Sequence, residues 1–142
     1  MPARTLARTP FLRLVLLGDA AASGASGLLL AAAAGPLAPL LGLSAPLLRD
    51  ARLVLLPCAA FIAWAGTRDR PPRCAVRAAV IIINLLWAIG SALLLAAGPV
   101  SPAALGTAFV LAQALVVLGF AVMQWGALRR AEAGATPVCA LT

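Results

Sequence analysis

The sequence contains no histidine, no lysine and no tyrosine, and it has only four acidic residues. Without histidine it lacks the commonest transition-metal ligand and the usual general base near neutral pH. Without lysine it cannot form a Schiff base with a carbonyl cofactor. Its three cysteines, Cys58, Cys74 and Cys139, are far apart and form no CxxC pair, the spacing typical of zinc and redox sites. We therefore expect neither a metal nor a cofactor, and these absences argue against an enzyme.

Charged residues of either sign are also scarce, at 11% of the chain, whereas 63% of the residues are hydrophobic. A water-soluble domain of this length could hardly bury so large an apolar fraction. A helix needs about 20 apolar residues to cross the core of a bilayer, so the chain has room for four spans, short loops and two tails. We predict a single all-α domain over residues 1–142, a polytopic membrane protein folded as a four-transmembrane-helix bundle.

Prolines, glycines and arginines set the expected helix boundaries. The predicted spans are about 11–34, 46–66, 78–97 and 103–128. Gly35-Pro36 is expected to end the first span, because this pair does not continue a helix comfortably. Residues 35–45 would then form a loop, with Ser44 placed to cap the second helix. Residues 129–142 are expected to form a short mobile tail.

The basic residues indicate how the chain lies in the membrane. All eleven are arginines, and nine flank the predicted spans in three groups: Arg4, Arg8 and Arg13; Arg68, Arg70, Arg73 and Arg77; Arg129 and Arg130. The positive-inside rule therefore places both termini in the cytoplasm. Because the arginines lie beside apolar segments, we expect no nucleic-acid partner despite the net charge of +7. The arginine-only, alanine-rich composition is typical of bacteria, so we expect a multi-pass protein of the bacterial inner membrane.

The start of the chain admits a second interpretation. Its basic leader and the small residues after Asp19 also resemble a secretory signal peptide. However, the uniformly apolar stretch before Asp19 is short, and apolar sequence continues well beyond any cleavage site. We therefore favour a retained span.

Polar side chains within the predicted spans are few, and each needs a partner because hydrocarbon offers none. Asp19 lies in the first span, with Ser23 on the same helix face. At 1.5 Å per residue from the arginine-flanked boundary, Asp19 and Asn84 each lie roughly 9 Å deep, and Gln124 of the fourth span is somewhat shallower. We predict that these four side chains meet in one intramembrane polar layer. Gln113 is a second polar position, farther from that boundary and facing the bundle.

Two hypotheses compete for this layer. In the structural one, Asn84 and Gln124 hydrogen-bond Asp19 or exposed backbone and hold the helices together, with each contact worth about 0.6 kcal/mol and at most a couple. In the functional one, Asp19 carries a proton or binds a cation or a basic ligand. A single carboxylate with no basic partner at its depth favours the structural hypothesis.

Three segments carry a resemblance to other proteins: GDAAASGASG (18–27), NLLWAIGSALLL (84–95) and PAALGTAFVLAQALVVLGF (102–120). Together they resemble small, functionally uncharacterised four-span inner-membrane proteins of GC-rich bacteria. The resemblance runs over most of residues 11–130. It implies a four-helix inner-membrane bundle, and it implies no activity and no catalytic residue.

The leading functional hypothesis is a non-enzymatic accessory or scaffold subunit. It would contact the lipid bilayer and pack against a larger membrane complex or against copies of itself, as small-residue helix faces favour. The alternative is a small oligomeric transporter or channel, coupled to protons or cations through Asp19. A membrane enzyme ranks last, because only Asp19 and Glu132 are carboxylates outside the outer and middle loops. No small-molecule ligand can be named.

Overall fold

The computed structural model of the chain describes residues 9–69, 73–96 and 102–133. These residues form four helices and no strand: α1 (Pro10–Leu41), α2 (Ala45–Thr67), α3 (Arg73–Ala96) and α4 (Ala104–Ala133). Three of them, α1, α3 and α4, are long and apolar enough to cross a membrane. The all-helical fold is therefore confirmed, and the three apolar helices are those of a membrane protein.

The first helix does not end where Gly35-Pro36 predicts. Its backbone departs from helical geometry at Ala33 (φ −125°, ψ 16°) and then continues as a helix to Leu41. A proline ring crowds the carbonyls one turn before it and removes a hydrogen bond, which kinks a helix without always ending it. The helix stops instead at Gly42, whose φ of 63° is a left-handed conformation that glycine adopts without strain.

The second helix begins as the sequence predicts. The Ser44 side chain accepts a hydrogen bond from the backbone N–H of Leu47 at 3.3 Å, which confirms Ser44 as the N-cap. The helix has 23 residues, so its length is about 34 Å. Charged residues stand near its start, at Arg49 and Asp50, and Pro57 lies inside it.

Two other boundaries differ from the predictions. The third helix begins at Arg73, earlier than the expected position near residue 78, and contains a π-helical segment at Ala78–Leu85. The fourth continues to Ala133, so residues 129–133 belong to a helix and not to a tail. Residues 134–142, and the predicted turn at 98–102 except for its last residue, lie outside the described part of the chain.

Glycines hold α1 and α2 together. A Cβ atom added at Gly24 would contact Ala59 at 3.8 Å, whereas one added at Gly27 would press on the Leu56 side chain at 2.9 Å. A Cβ at Gly66 would be similarly crowded by α1. The small-residue surface of α1 is therefore used inside the chain, because glycine lets two helix backbones approach closely.

A second close contact joins the end of α1 to the start of α4. The backbone N–H of Ala103 donates to the carbonyl oxygen of Leu41 at 3.0 Å. One turn later, a Cβ at Gly106 would collide with that same carbonyl. Only a glycine fits at this position without moving one of the helices.

The bundle has two ends that differ in charge. The arginine-rich end holds the starts of α1 and α3 and the ends of α2 and α4, with residues such as Arg13, Arg73 and Arg129. A cluster of buried apolar side chains fills this half: Leu12, Leu16, Ala20, Ile62, Val76, Ala121, Ala127, Leu128 and Ala131. A second cluster lies toward the opposite end, around Leu30, Leu48 and Val110.

Candidate functional site

Three polar side chains meet in the interior of the bundle. Asp19, Asn84 and Gln124 are each fully buried, with no solvent-exposed area. The Asn84 amide nitrogen donates to Asp19 Oδ2 at 2.9 Å and to Gln124 Oε1 at 3.0 Å. The Gln124 amide nitrogen donates to the same Asp19 oxygen at 2.7 Å. The three side chains thus form a closed hydrogen-bonded triangle that ties α1, α3 and α4 together.

The other carboxylate oxygen of Asp19 has a different neighbour. Ser23, one turn later on α1, donates from its hydroxyl to Asp19 Oδ1 at 3.3 Å. The structure therefore brings together all four side chains that the sequence places in one layer. We call these four residues, Asp19, Ser23, Asn84 and Gln124, the polar layer.

Helix geometry explains why these side chains coincide in depth. Asp19 lies nine residues into α1, and Gln124 lies nine residues before the end of α4, which runs in the opposite direction. Asn84 lies within the π-helical segment of α3. Such segments have a wider turn and frequently occur at functional sites. The second helix donates no hydrogen bond to the layer and closes it with apolar side chains such as Ile62.

No cationic side chain among the described residues contacts the Asp19 carboxyl. Arg77, which the sequence places on the same face of α3 as Asn84, instead pairs with Glu132 of α4 at 3.0 Å. That ion pair lies at the partly exposed arginine-rich end, with side chains 53% and 25% exposed. The carboxyl of Asp19 is therefore surrounded by neutral donors only.

Two buried polar atoms in this region have no hydrogen-bond partner. One is the amide oxygen of Asn84, and the other is the amide nitrogen of Gln113. The structure does not bring Gln113 into the polar layer, since it lies about three turns from Gln124 along α4. Buried amide groups are rarely left without a partner, so the Asn84 oxygen calls for a donor or a cation, and the Gln113 nitrogen calls for an acceptor such as water.

Cavities adjoin both unpartnered groups. One, of about 410 Å³, is lined by Asp19, Ser23, Ser26 and Gln113 among others. A cavity of about 330 Å³ shares Gln113 and extends past Asp50 at the start of α2. A smaller one, of about 230 Å³, is lined by Ser23 and Asn84, with Cys58. These volumes exceed the share of liquid volume of one water molecule, roughly 30 Å³, several times over.

Sequence reasoning missed the cavities and the residue that links them. Trp87 of α3 borders all three. The sequence places Trp87 near Asn84 and Ser91 on one face of α3, but an indole on an apolar helix most often only packs against neighbouring side chains. The hydroxyl of Ser91 donates to the Trp87 carbonyl at 2.8 Å, so this hydroxyl has its hydrogen-bond partner within its own helix.

Comparisons with protein-family models, with curated proteins and with solved structures found no match for this chain. Among the described residues, no three His, Cys, Asp or Glu side chains lie together in a way that could hold a metal ion. The function must therefore be argued from the geometry of the polar layer, the cavities and the outer surface.

Proposed function

We propose that this chain is a non-enzymatic integral membrane protein of the bacterial inner membrane. It spans the bilayer with four helices and acts as an accessory or scaffold subunit that packs against a larger membrane complex or against copies of itself. The triangle of Asp19, Asn84 and Gln124 supports this proposal, because these buried polar groups hydrogen-bond one another and so join helices within the chain. The observation that carries it is a row of unused small residues on α4.

That row consists of Ala112, Gly119 and Gly126. A Cβ atom added at either glycine would meet nothing within 4 Å. Seven-residue spacing puts the three positions on one helix face, within about 20° of one another from step to step. Membrane helices use such small residues where another helix packs closely. In contrast to Gly27, which α2 covers, Gly119 and Gly126 have no covering helix among the described parts of the chain.

The proposed contact can be tested by enlarging one residue of the row. Gly119→Leu should dissociate the oligomer, or release the stoichiometric partner, when the protein is purified in mild detergent and its mass is measured. Gly35→Leu is the matched control, because a Cβ at Gly35 also meets nothing within 4 Å but lies on α1. A wild-type protein that is monomeric and free of partners, or equal masses for wild type and Gly119→Leu, would refute the proposal.

The proposed orientation places the arginine-rich end in the cytoplasm. Two tryptophans support an interface there, because the Arg68 guanidinium lies 5.0 Å from the Trp64 ring and the Arg129 guanidinium lies 5.9 Å from the Trp125 ring. Tryptophan and arginine prefer the headgroup region. Reporter fusions after residue 70 should give a cytoplasmic signal and those after residue 100 a periplasmic one; the reverse pattern would exclude this orientation.

A second candidate function is favoured by one observation, the cavity of about 410 Å³ that reaches Asp19. In this alternative the protein is an oligomeric transporter or channel coupled to protons or cations. Asp19→Asn should then abolish proton- or cation-dependent flux in reconstituted vesicles while the protein stays folded. If wild-type vesicles show no flux beyond that of empty ones, this second candidate is excluded and the scaffold remains.

A further inference from the structure

We propose that Asp19 takes up a single positive charge, a proton or an alkali-metal cation, through hydrated cavities that reach it from the half of the bundle opposite the arginine-rich end. The inference holds for a scaffold as well as for a transporter, since uptake at one site requires no passage across the membrane.

The two oxygens of the Asp19 carboxyl provide the first step of the argument. Oδ2 accepts from both amide nitrogens, at 2.9 and 2.7 Å, and is fully engaged. Oδ1 accepts only the long 3.3 Å hydrogen bond from Ser23. If Oδ1 were protonated, its O–H would donate a hydrogen bond to the Ser23 hydroxyl oxygen. The Ser23 hydroxyl would then turn to donate to a backbone carbonyl one turn back. The amide triangle would stay as it is, so the layer accommodates either form.

Charge provides the second step. An ionised carboxylate buried among neutral groups is costly unless a positive charge compensates it. Asn84 and Gln124 supply hydrogen bonds but no charge. One proton or one monovalent cation neutralises the layer, whereas a divalent cation would leave it with an excess positive charge. The unpartnered amide oxygen of Asn84 is one more acceptor for a cation or its water.

The other titratable groups in this region do not supply that charge. On α1, Arg13 is six residues from Asp19 and points about 120° away around the helix. Arg77 of α3 is bound to Glu132 of α4. From α2, Asp50 and Cys58 line cavities of the same set, and neither is cationic.

A chain of polar groups provides the route. From the far end, the first cavity is lined by Asp50, Ser91 and Gln113. The second shares Gln113 and continues past Ser26 to Ser23 and Asp19. The amide nitrogen of Gln113, buried without a protein partner, lies where the two cavities meet. A water molecule there gives that nitrogen an acceptor, which supports hydrated cavities.

Among the described residues, none of these three cavities extends toward the arginine-rich end. Between Asp19 and that end lies the first apolar cluster, in which Leu16 and Leu128 are 1% exposed and Val76 is fully buried. Apolar packing of this density excludes water and ions. Among the described residues, the cavities therefore reach Asp19 from the opposite half.

Labelling with dicyclohexylcarbodiimide tests the uptake of charge. This lipid-soluble reagent modifies protonated carboxyls in apolar surroundings, and mass spectrometry of the purified full chain locates the adduct. We expect an adduct at Asp19, because the reagent reacts with the protonated carboxyl that uptake of a proton produces. Asp19→Asn should abolish the adduct, with Asp50 and Glu132 as internal comparison sites. Absence of an adduct at Asp19 in buffers free of alkali-metal salts would overturn the proposal.

A sodium titration at constant pH then separates the two sources of positive charge. If sodium ions slow the labelling of Asp19 and choline ions at equal concentration do not, the site binds the alkali-metal cation in competition with the proton. Equal rates in the two salts identify the proton as the occupant. Both results support uptake of one positive charge, and they differ only in its source.

Cysteine accessibility tests the side of entry. In a chain with Cys58, Cys74 and Cys139 changed to serine, Ser26→Cys places a thiol in the larger cavity, and Ala25→Cys places one on the exposed outer surface of α1. A charged thiosulfonate added on the side of the α1–α2 connection should modify Cys at 26 but not at 25. Modification of 26 only from the arginine-rich side, or only by lipid-soluble maleimides, would show that the proposed route is wrong.

Discussion

Two glutamines on α4 lie on the same helix face and have opposite environments. Gln124 is fully buried, and both polar atoms of its amide are hydrogen bonded, to Asp19 and Asn84. Gln113, within about 20° of it around the helix, is half-buried, and its amide nitrogen has no partner. The position of a polar residue on a helix face therefore does not decide whether its side chain finds hydrogen-bond partners. What decides it is whether the neighbouring helices supply partners at the same depth.

The two halves of the bundle differ for the same reason. At the depth of Gln124, helices α1 and α3 each contribute a polar side chain, and the apolar cluster around Leu16 fills the remaining space. At the depth of Gln113, the neighbours include Phe109 and Trp87, whose rings leave cavities instead of filling them. In one half the Gln124 amide is fully hydrogen bonded within a closely packed core, and in the other the cavities leave room for water.

The largest expected effect comes from Gly106, which keeps α1 and α4 in contact in the half that contains the cavities. In Gly106→Ala the new Cβ collides with the Leu41 carbonyl, so the helices must separate, and we expect a loss of about 1–3 kcal/mol in unfolding free energy. Gly90→Ala is the control, since a Cβ there meets nothing within 4 Å, and it should be neutral or slightly stabilising. Unfolding by SDS in mixed micelles, followed by tryptophan fluorescence, measures both. Equal effects would show that the α1–α4 contact is looser than the structure indicates.

The next effect is expected when Gln124, one of the three members of the hydrogen-bonded triangle, is replaced. Gln124→Leu takes away one donor to Asp19 and one acceptor of Asn84. Because the two remaining groups stay buried, we expect destabilisation by about 1–3 kcal/mol. The same SDS titration measures it, and Val122→Leu, on the exposed surface of α4, is the control that changes α4 without touching the layer. A Gln124→Leu protein as stable as wild type would mean that the triangle contributes no net stability.

A smaller effect is expected at the rim of the closely packed half. The Arg77–Glu132 ion pair joins α3 to α4, but its side chains are partly exposed. Partly exposed pairs contribute about 0.2–1 kcal/mol and are screened by salt. A double-mutant cycle with Arg77→Gln and Glu132→Gln should give a coupling in this range that decreases in high salt. A coupling free energy above that range and unaffected by salt would show that this ion pair is desolvated.

The polar layer could be predicted from the sequence because two simple rules applied. Helical periodicity placed Ser23 on the Asp19 face, and a rise of 1.5 Å per residue placed Asn84 and Gln124 at a matching depth. Both rules depend only on the chain itself and on where the arginines begin. The structure adds which atoms pair, and that depends on helix rotations that the sequence pattern does not determine.

Other features could not be predicted, for physical reasons that differ. The first helix passes through Gly35-Pro36, because packing against its neighbours outweighs the local cost of the proline. The π-helical segment at Ala78–Leu85 has no sequence signature of its own. The cavities depend on how the Trp87 and Phe109 rings pack between helices, a property of the assembled bundle and not of any one segment.

The smallest expected effect is at Gln113, and it is the direct counterpart of Gln124→Leu. Its amide nitrogen has no protein partner to lose, so Gln113→Leu should change the unfolding free energy by less than about 0.5 kcal/mol, as a substitution away from a bonded network does. The SDS titration used for Gln124→Leu gives the comparison directly, because the two substitutions are chemically identical and lie on the same face of α4. If Gln113→Leu cost as much as Gln124→Leu, the water beside Gln113 would have to be held as strongly as the hydrogen bonds of the triangle, and the contrast between the two halves of the bundle would be lost.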